Sequence, residues 1–225
     1  VLRLALLLTL LGSFISCGDS KTDGPDPAAT MTAAPAGATS SQIWQQQCGV
    51  CHGAAGEGNR ALGAPALTQL SSDYLTRQLT HFVNGVRGAD PKDQAGHRMA
   101  LSVALLAPSD IPALAAFIST DLPPARPEAT LKGEATRGKD YYTHLCSACH
   151  GGNALGNPIL GAPSLAGASD WYLKSAYQGF LDGLRGQHVD DVYGAQMARL
   201  APALSDENDL DDVIAHIMTL PPKRS

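Results

Sequence analysis

The chain carries Cys48-Gly49-Val50-Cys51-His52 and, farther on, Cys146-Ser147-Ala148-Cys149-His150. Cysteines at this spacing lie one helical turn apart. Two thiols so placed take thioether bonds from the vinyl groups of one porphyrin, and the adjacent imidazole becomes an axial ligand of its iron. Cys48, Cys51, Cys146 and Cys149 are therefore read as attachment points for two covalent haem c groups, with His52 and His150 as proximal iron ligands. A lone run of this kind also suits a zinc half-site or a redox cysteine pair, but a second copy in matching surroundings argues against both. Four of the five cysteines are used in this way. Cys17 is left over, and no pair remains for a disulfide.

The surroundings do match. A shift of 98 positions carries Leu62-Gly63-Ala64-Pro65 onto Leu160-Gly161-Ala162-Pro163, and Tyr74-Leu75, Phe82, Gly85, Arg87-Gly88 and Met99 onto Tyr172-Leu173, Phe180, Gly183, Arg185-Gly186 and Met197. Leu122-Pro123-Pro124 returns as Leu220-Pro221-Pro222, after a stretch in which Ser109-Asp110 and Leu114 match Ser205-Asp206 and Leu210 at an offset of 96. Each half is one domain built on the same plan.

The position opposite the proximal histidine decides whether such an iron carries electrons or opens to a substrate. A methionine thioether closes it and raises its reduction potential. Met99 and Met197 each lie 47 residues beyond the motif histidine at equivalent repeat positions, whereas Met31 and Met218 do not. They are the candidate sixth ligands. His97 and His188 are their rivals, weakened because neither recurs: their repeat partners are Ala195 and Asp90. His81, His144 and His216 read as surface or structural side chains. Arg87 and Arg185 are candidate contacts for haem propionates, or else charges complementing a helix C-terminus.

These residues need helices and loops to hold them. Ile43 and Trp44 predict a helix running into the first motif, followed by a loop at Gly56-Glu57-Gly58-Asn59. Ser72-Asp73 start an amphipathic helix with Tyr74, Leu75, Leu79, Phe82 and Val83 on its apolar side. Met99 is expected in a loop from Val86 to Ala100. Ser109-Asp110 then cap a helix through Ile111, Leu114, Phe117 and Ile118. The second half repeats the plan: a helix through Tyr141, Tyr142 and Leu145, one from about Ser169-Asp170 to Asp182, a loop with Met197, and a last helix through Leu210, Val213, Ile214, Ile217 and Met218. No segment alternates with a period of two, so the fold class is all-α.

The chain of 225 residues divides as 1–16 signal peptide, 17–41 lipidated Cys17 and disordered tether, 42–122 first domain, 123–132 proline-stiffened linker and 133–225 second domain. Residues 2–12 are apolar with one early positive charge and too short for an ordinary membrane span, and Phe14-Ile15-Ser16-Cys17 resembles a bacterial lipobox. The tether is rich in Gly, Pro, Ala, Thr and Ser, with no apolar periodicity. A net charge of −5 gives no support to nucleic-acid binding. The second domain holds most of the acid, with seven basic and eleven acidic side chains from 133 on. Aromatic residues are 5% of the chain, so a haem in each domain supplies apolar bulk that the side chains lack.

Both halves resemble class I cytochrome c domains, and the tandem resembles the dihaem cytochrome c4 group. The resemblance covers nearly all of 42–222 and is carried by the CHG runs, GAPAL and GAPSL, FVNGVRG and FLDGLRG, and the final helices. It implies two domains each wrapped round one covalent haem, His/Met ligation, and the Pro65 and Pro163 carbonyls accepting hydrogen bonds from His52 and His150. It also implies haems facing each other near the domain interface. The function it implies is electron transfer between respiratory-chain partners, such as a cytochrome bc-type complex and a terminal oxidase, by an exported protein. The alternatives are a dihaem peroxidase-like enzyme and a cytochrome subunit of a membrane oxidoreductase complex.

Overall fold

The computed structural model describes residues 32–35, 37–204 and 206–222. The segment expected as a signal peptide, Cys17 and most of the stretch expected as a tether lie outside the described residues. Those described form helices and loops, with pairing limited to two isolated bridges, Asn59 with Ala64 and Asn157 with Ala162.

The first domain opens with helix α1, in three continuous parts: Ser40–Ile43, a π turn at Trp44–Cys48, and Gly49–His52. Thr39 and Gln42 cap it reciprocally. Helix α2 is Ser72–Val83, capped by the Ser71 hydroxyl on the Tyr74 N–H. Helix α3 is Gln94–Val103 and α4 is Ile111–Thr120. Leu75, Leu79 and Phe82 of α2 are buried with Ile111, Leu114, Ala115 and Ile118 of α4 against Ile43 and Trp44 of α1, so the expected apolar faces form one core. Ala34 and Ala38 pack on it, and Gln47 Nε2 donates to the Thr32 carbonyl. Within the stretch expected as tether, Thr32, Ala34 and Ala38 therefore rest on the first domain, the small side chains finding apolar surface to cover.

The second domain repeats the order. Helix α5 comprises Ala135–Tyr141, a π turn at Tyr142–Cys146, and Ser147–His150; α6 is Asp170–Leu181, α7 Val192–Leu200 and α8 Glu207–Met218. Leu210, Val213, Ile214 and Ile217 of α8 pack with Tyr142 of α5. Trp44 and Tyr142, equivalent in the repeat, each tie the π turn to the loop after the motif: Trp44 Nε1 donates to the Ala54 carbonyl at 2.9 Å, and the Tyr142 hydroxyl to the Gly151 carbonyl at 2.6 Å.

Two expectations are corrected. Met99 and Met197 sit in helices, α3 and α7, and not in loops. Asp93 and Asp191 cap these helices, accepting from the Gly96 and Gly194 N–H groups at 2.8 and 2.9 Å. Ser109-Asp110 supplies no capping hydrogen bond to α4; a 3-10 turn at Pro108–Asp110 leads into the helix instead.

Between the domains, the segment after α4 is sewn to both. The Ala125 N–H donates to Thr68 Oγ1 at 2.9 Å and the Glu128 N–H to Ser169 Oγ at 3.1 Å. The Thr130 and Leu131 N–H groups both donate to the buried Asp170 carboxylate. No single helix among the described residues is long and apolar enough to cross a membrane.

Candidate haem sites

Each domain encloses a largely apolar cavity. The first is lined by Cys51, His52, Pro65, Leu79, Phe82 and Met99, among others. The second is lined by the repeat-equivalent Cys149, His150, Pro163 and Met197, together with Cys146 and Leu173. The α1 and α5 helices deliver the cysteines and histidines to one wall, and the α3 and α7 helices bring the methionines to the same spaces. His97 and His188 line neither cavity. His97 Nδ1 lies 3.2 Å from the Gly88 carbonyl, and His188 is exposed beside Asp190.

The histidines are oriented by backbone. His52 Nδ1 is 2.8 Å from the Pro65 carbonyl, and His150 Nδ1 is 2.9 Å from that of Pro163. A carbonyl can only accept, so Nδ1–H donates to the proline oxygen in each site and Nε2 keeps the lone pair. Burial lowers both imidazole pKa values, outweighing the carbonyl bonds that pull them upward. Neutral imidazoles, the ligating form, result. Burial first, and the neighbouring thiol second, push Cys48 up to about 12 and Cys146 up to about 11.

Arg87 and Arg185 line the cavities while stacking on phenylalanines in the last turns of α2 and α6. Their guanidiniums lie 4.5 and 4.4 Å from the ring centres of Phe82 and Phe180. Arg87 Nη1 donates to Gln78 Oε1 at 2.6 Å, while Arg87 Nε is buried with no partner. An orphaned buried guanidinium N–H at a cavity wall fits a carboxylate-bearing guest, as a haem with its propionates would be. Both arginines also face Tyr172: burial raises that phenol, and the two guanidiniums outweigh it and bring its pKa down. Arg185 faces Tyr74 of the other domain as well. Tyr74, Tyr172 and Arg185 line both cavities, so the two sites meet at a shared polar cluster.

Sequence reasoning missed this cluster. The tyrosines recur at the repeat offset, which was visible, but their place on an amphipathic helix reads as core. His81, which reads from the sequence as a surface or structural side chain, has a structural place facing Asp191 across the domain boundary. His144 bonds the Asp140 carbonyl, and His216 packs on the Tyr142 ring, both local roles.

The sequence model of the cytochrome c family matches residues 37–121 and again 135–221. A thiosulfate dehydrogenase electron acceptor of Thiomonas intermedia is 34% identical over 169 residues, covering 70% of this chain and 73% of its own length. Cytochrome c4 of Stutzerimonas stutzeri is 28% identical over 182 residues, covering 77% of this chain and 84% of its own. The solved cytochrome c4 of Acidithiobacillus ferrooxidans superposes with a TM-score of 0.62 at 25% identity, over 77% of this chain and 98% of that one. Duplicate motifs, duplicate cavities and these likenesses converge: the chain belongs to the cytochrome c family, as a dihaem class I c-type cytochrome of the c4 type that carries electrons on two haem c groups.

Proposed function

We propose that this carrier links a donor and an acceptor of a respiratory chain at the periplasmic or outer face of a membrane, with Met99 and Met197 as sixth ligands opposite His52 and His150. The observation that carries the reading is the placement, in each half, of a backbone-held imidazole and a helix-borne thioether on the walls of one apolar cavity. Bound haem supplies the one-electron iron couple. The chain's own residues do the rest. Pro65 and Pro163 fix the imidazole rings, and the apolar walls keep water from the metal. Arg87 and Arg185, at the seam between the sites, would neutralise the propionates of a bound haem.

The names of similar proteins support the choice of partners. The Thiomonas protein is described as an electron acceptor of thiosulfate dehydrogenase. A FixP subunit of a cbb3-type oxidase from Bradyrhizobium is 32% identical over 130 residues, of which this chain covers 42% of the length. A dehydrogenase or cytochrome bc-type complex as donor, and a terminal oxidase as acceptor, fit these likenesses. Cys17 serves as the lipid anchor in this reading. The oxidase-subunit likeness also favours a second arrangement, in which the chain is a fixed part of a membrane complex; detergent extraction that never releases the cytochrome alone selects it.

The test is spectroscopic. Two methionine–iron charge-transfer signals in the oxidised holoprotein, with neither reduced haem taking carbon monoxide, are expected. Met99→Ala and Met197→Ala each remove one signal and open one haem to the gas. A wild-type haem that already binds carbon monoxide tightly overturns the ligand assignment.

A further inference from the structure

The contact between the two halves obeys the repeat where Arg87 faces Tyr172 and Arg185 faces Tyr74, but a second part of it does not. Arg77 on α2 donates from Nη2 to the Gly161 carbonyl at 2.6 Å, and its guanidinium carbon lies 4.6 Å from the centre of the Tyr193 ring. One turn along α2, His81 Nδ1 is 3.7 Å from the Asp191 carboxylate, with the two side chains only 13% and 12% exposed. Shifted by the repeat offset, the places that would make the mirror contact hold Ser175 for Arg77, Gly179 for His81 and Ala95 for Tyr193. A hydroxymethyl, a hydrogen and a methyl cannot span that gap. The latch is built on one side only.

What it grips is α7. Tyr193 precedes Met197 by four residues, one turn away on the same face of that helix. Asp191 is the helix's N-cap. The Gly161 backbone lies against the Tyr193 ring, and both line the cavity that holds Met197. In the first domain Asp93 caps α3 in the same way. Among the described residues, however, no hydrogen bond, ion pair or ring contact joins α6 to α3.

We propose that Arg77 and His81 are positioning residues for Met197: the first domain braces the helix that presents the sulfur of the second site, while α3 is held from within its own domain, by Arg98 Nη2 on the Leu62 carbonyl at 3.1 Å. Docking of the domains thus tightens one iron–sulfur bond and not the other. The inference rests on the assignment of Met197 as a ligand.

The experiment uses the full chain with both haems attached and imidazole as the probe, since imidazole displaces a weakly held methionine from ferric iron. Binding is followed by loss of the charge-transfer band and of each ligand methyl resonance in the paramagnetic NMR spectrum; Met197→Ala identifies which resonance belongs to which site. Arg77→Ala is expected to raise the imidazole affinity of the Met197 haem by about tenfold, the scale of losing a hydrogen bond from a charged donor, with the Met99 haem unchanged. His81→Ala, a smaller cut in the same latch, gives the same one-sided shift at lower amplitude, and Ser175→Ala shifts neither haem. Arg77→Ala and His81→Ala affinities within twofold of wild type at both haems, or equal shifts at both, overturn the proposal. If Met197→Ala leaves both methyl resonances in place, it is the ligand assignment that fails.

Discussion

At the scale of single residues, a helix spacing and a repeat offset point to most of the chemistry. The Cys-x-x-Cys-His runs are legible because thioether attachment and axial ligation demand those residue types in that order. Met99 and Met197 stand out because an offset of 98 picks them from four methionines. The cross-domain partners are not legible: nothing local marks Arg77 for a carbonyl 84 positions away, and His81 carries no repeat signal. Asp212 is another residue whose role only the fold reveals. It is buried, accepts from the Glu134 N–H, and pairs with Arg137. Burial raises its pKa, but the backbone bond and the guanidinium outweigh it and hold the carboxyl below the ordinary value of 3.8. A carboxyl depressed in the folded state contributes stability above the unfolded value and loses it as pH falls through the folded one. Wild-type stability should therefore drop more steeply below about pH 4 than that of Asp212→Asn, measured by chemical denaturation across the acid range.

At the scale of elements, amphipathic periodicity fixes α2, α4 and α8, whose buried sets agree with their apolar stripes. It fails at α3 and α7. Each contains a glycine, Gly96 or Gly194, where helix propensity is poor, and neither has a long apolar stripe. The structure explains those glycines: a Cβ at Gly96 or Gly194 would collide with the Asp93 or Asp191 carboxylate that caps the helix. Gly88 and Gly186, with φ near 77° and 76°, press their backbones against the Gly96 and Gly194 carbonyls, so the methionine helices lie closer than any side chain would allow. The π turns before Cys48 and Cys146 were equally hidden, since a wider turn leaves no mark in residue type. A comparable close approach joins α5 to α8, where Gly138 touches the Asp212 carbonyl. Gly138→Ala places a methyl in that contact, and a loss of about 1–3 kcal/mol in denaturant unfolding is expected, with haem attachment intact.

At the scale of the whole molecule, the repeat predicts two alike domains but says little about how they join. Proline-rich sequence reads as a stiff spacer, and the segment is also bonded to its neighbours through Ala125, Glu128, Thr130 and Leu131. Asp170, whose repeat counterpart is Ser72, is the main anchor. Ser169, at the N-cap position of α6, makes no capping hydrogen bond there, and its hydroxyl accepts from the Glu128 N–H. Asp170→Ala leaves the Thr130, Leu131 and Trp171 N–H groups without their acceptor. A loss of at least about 2 kcal/mol is expected, with calorimetry resolving two unfolding transitions in place of a more cooperative one. The seam has a kinetic meaning too. Domains on a slack tether exchange electrons only when diffusion brings them together, so their exchange slows as the medium thickens. Here the gap between the two centres is set by covalent chain and hydrogen bonds, and an electron crossing it feels no drag from the solvent.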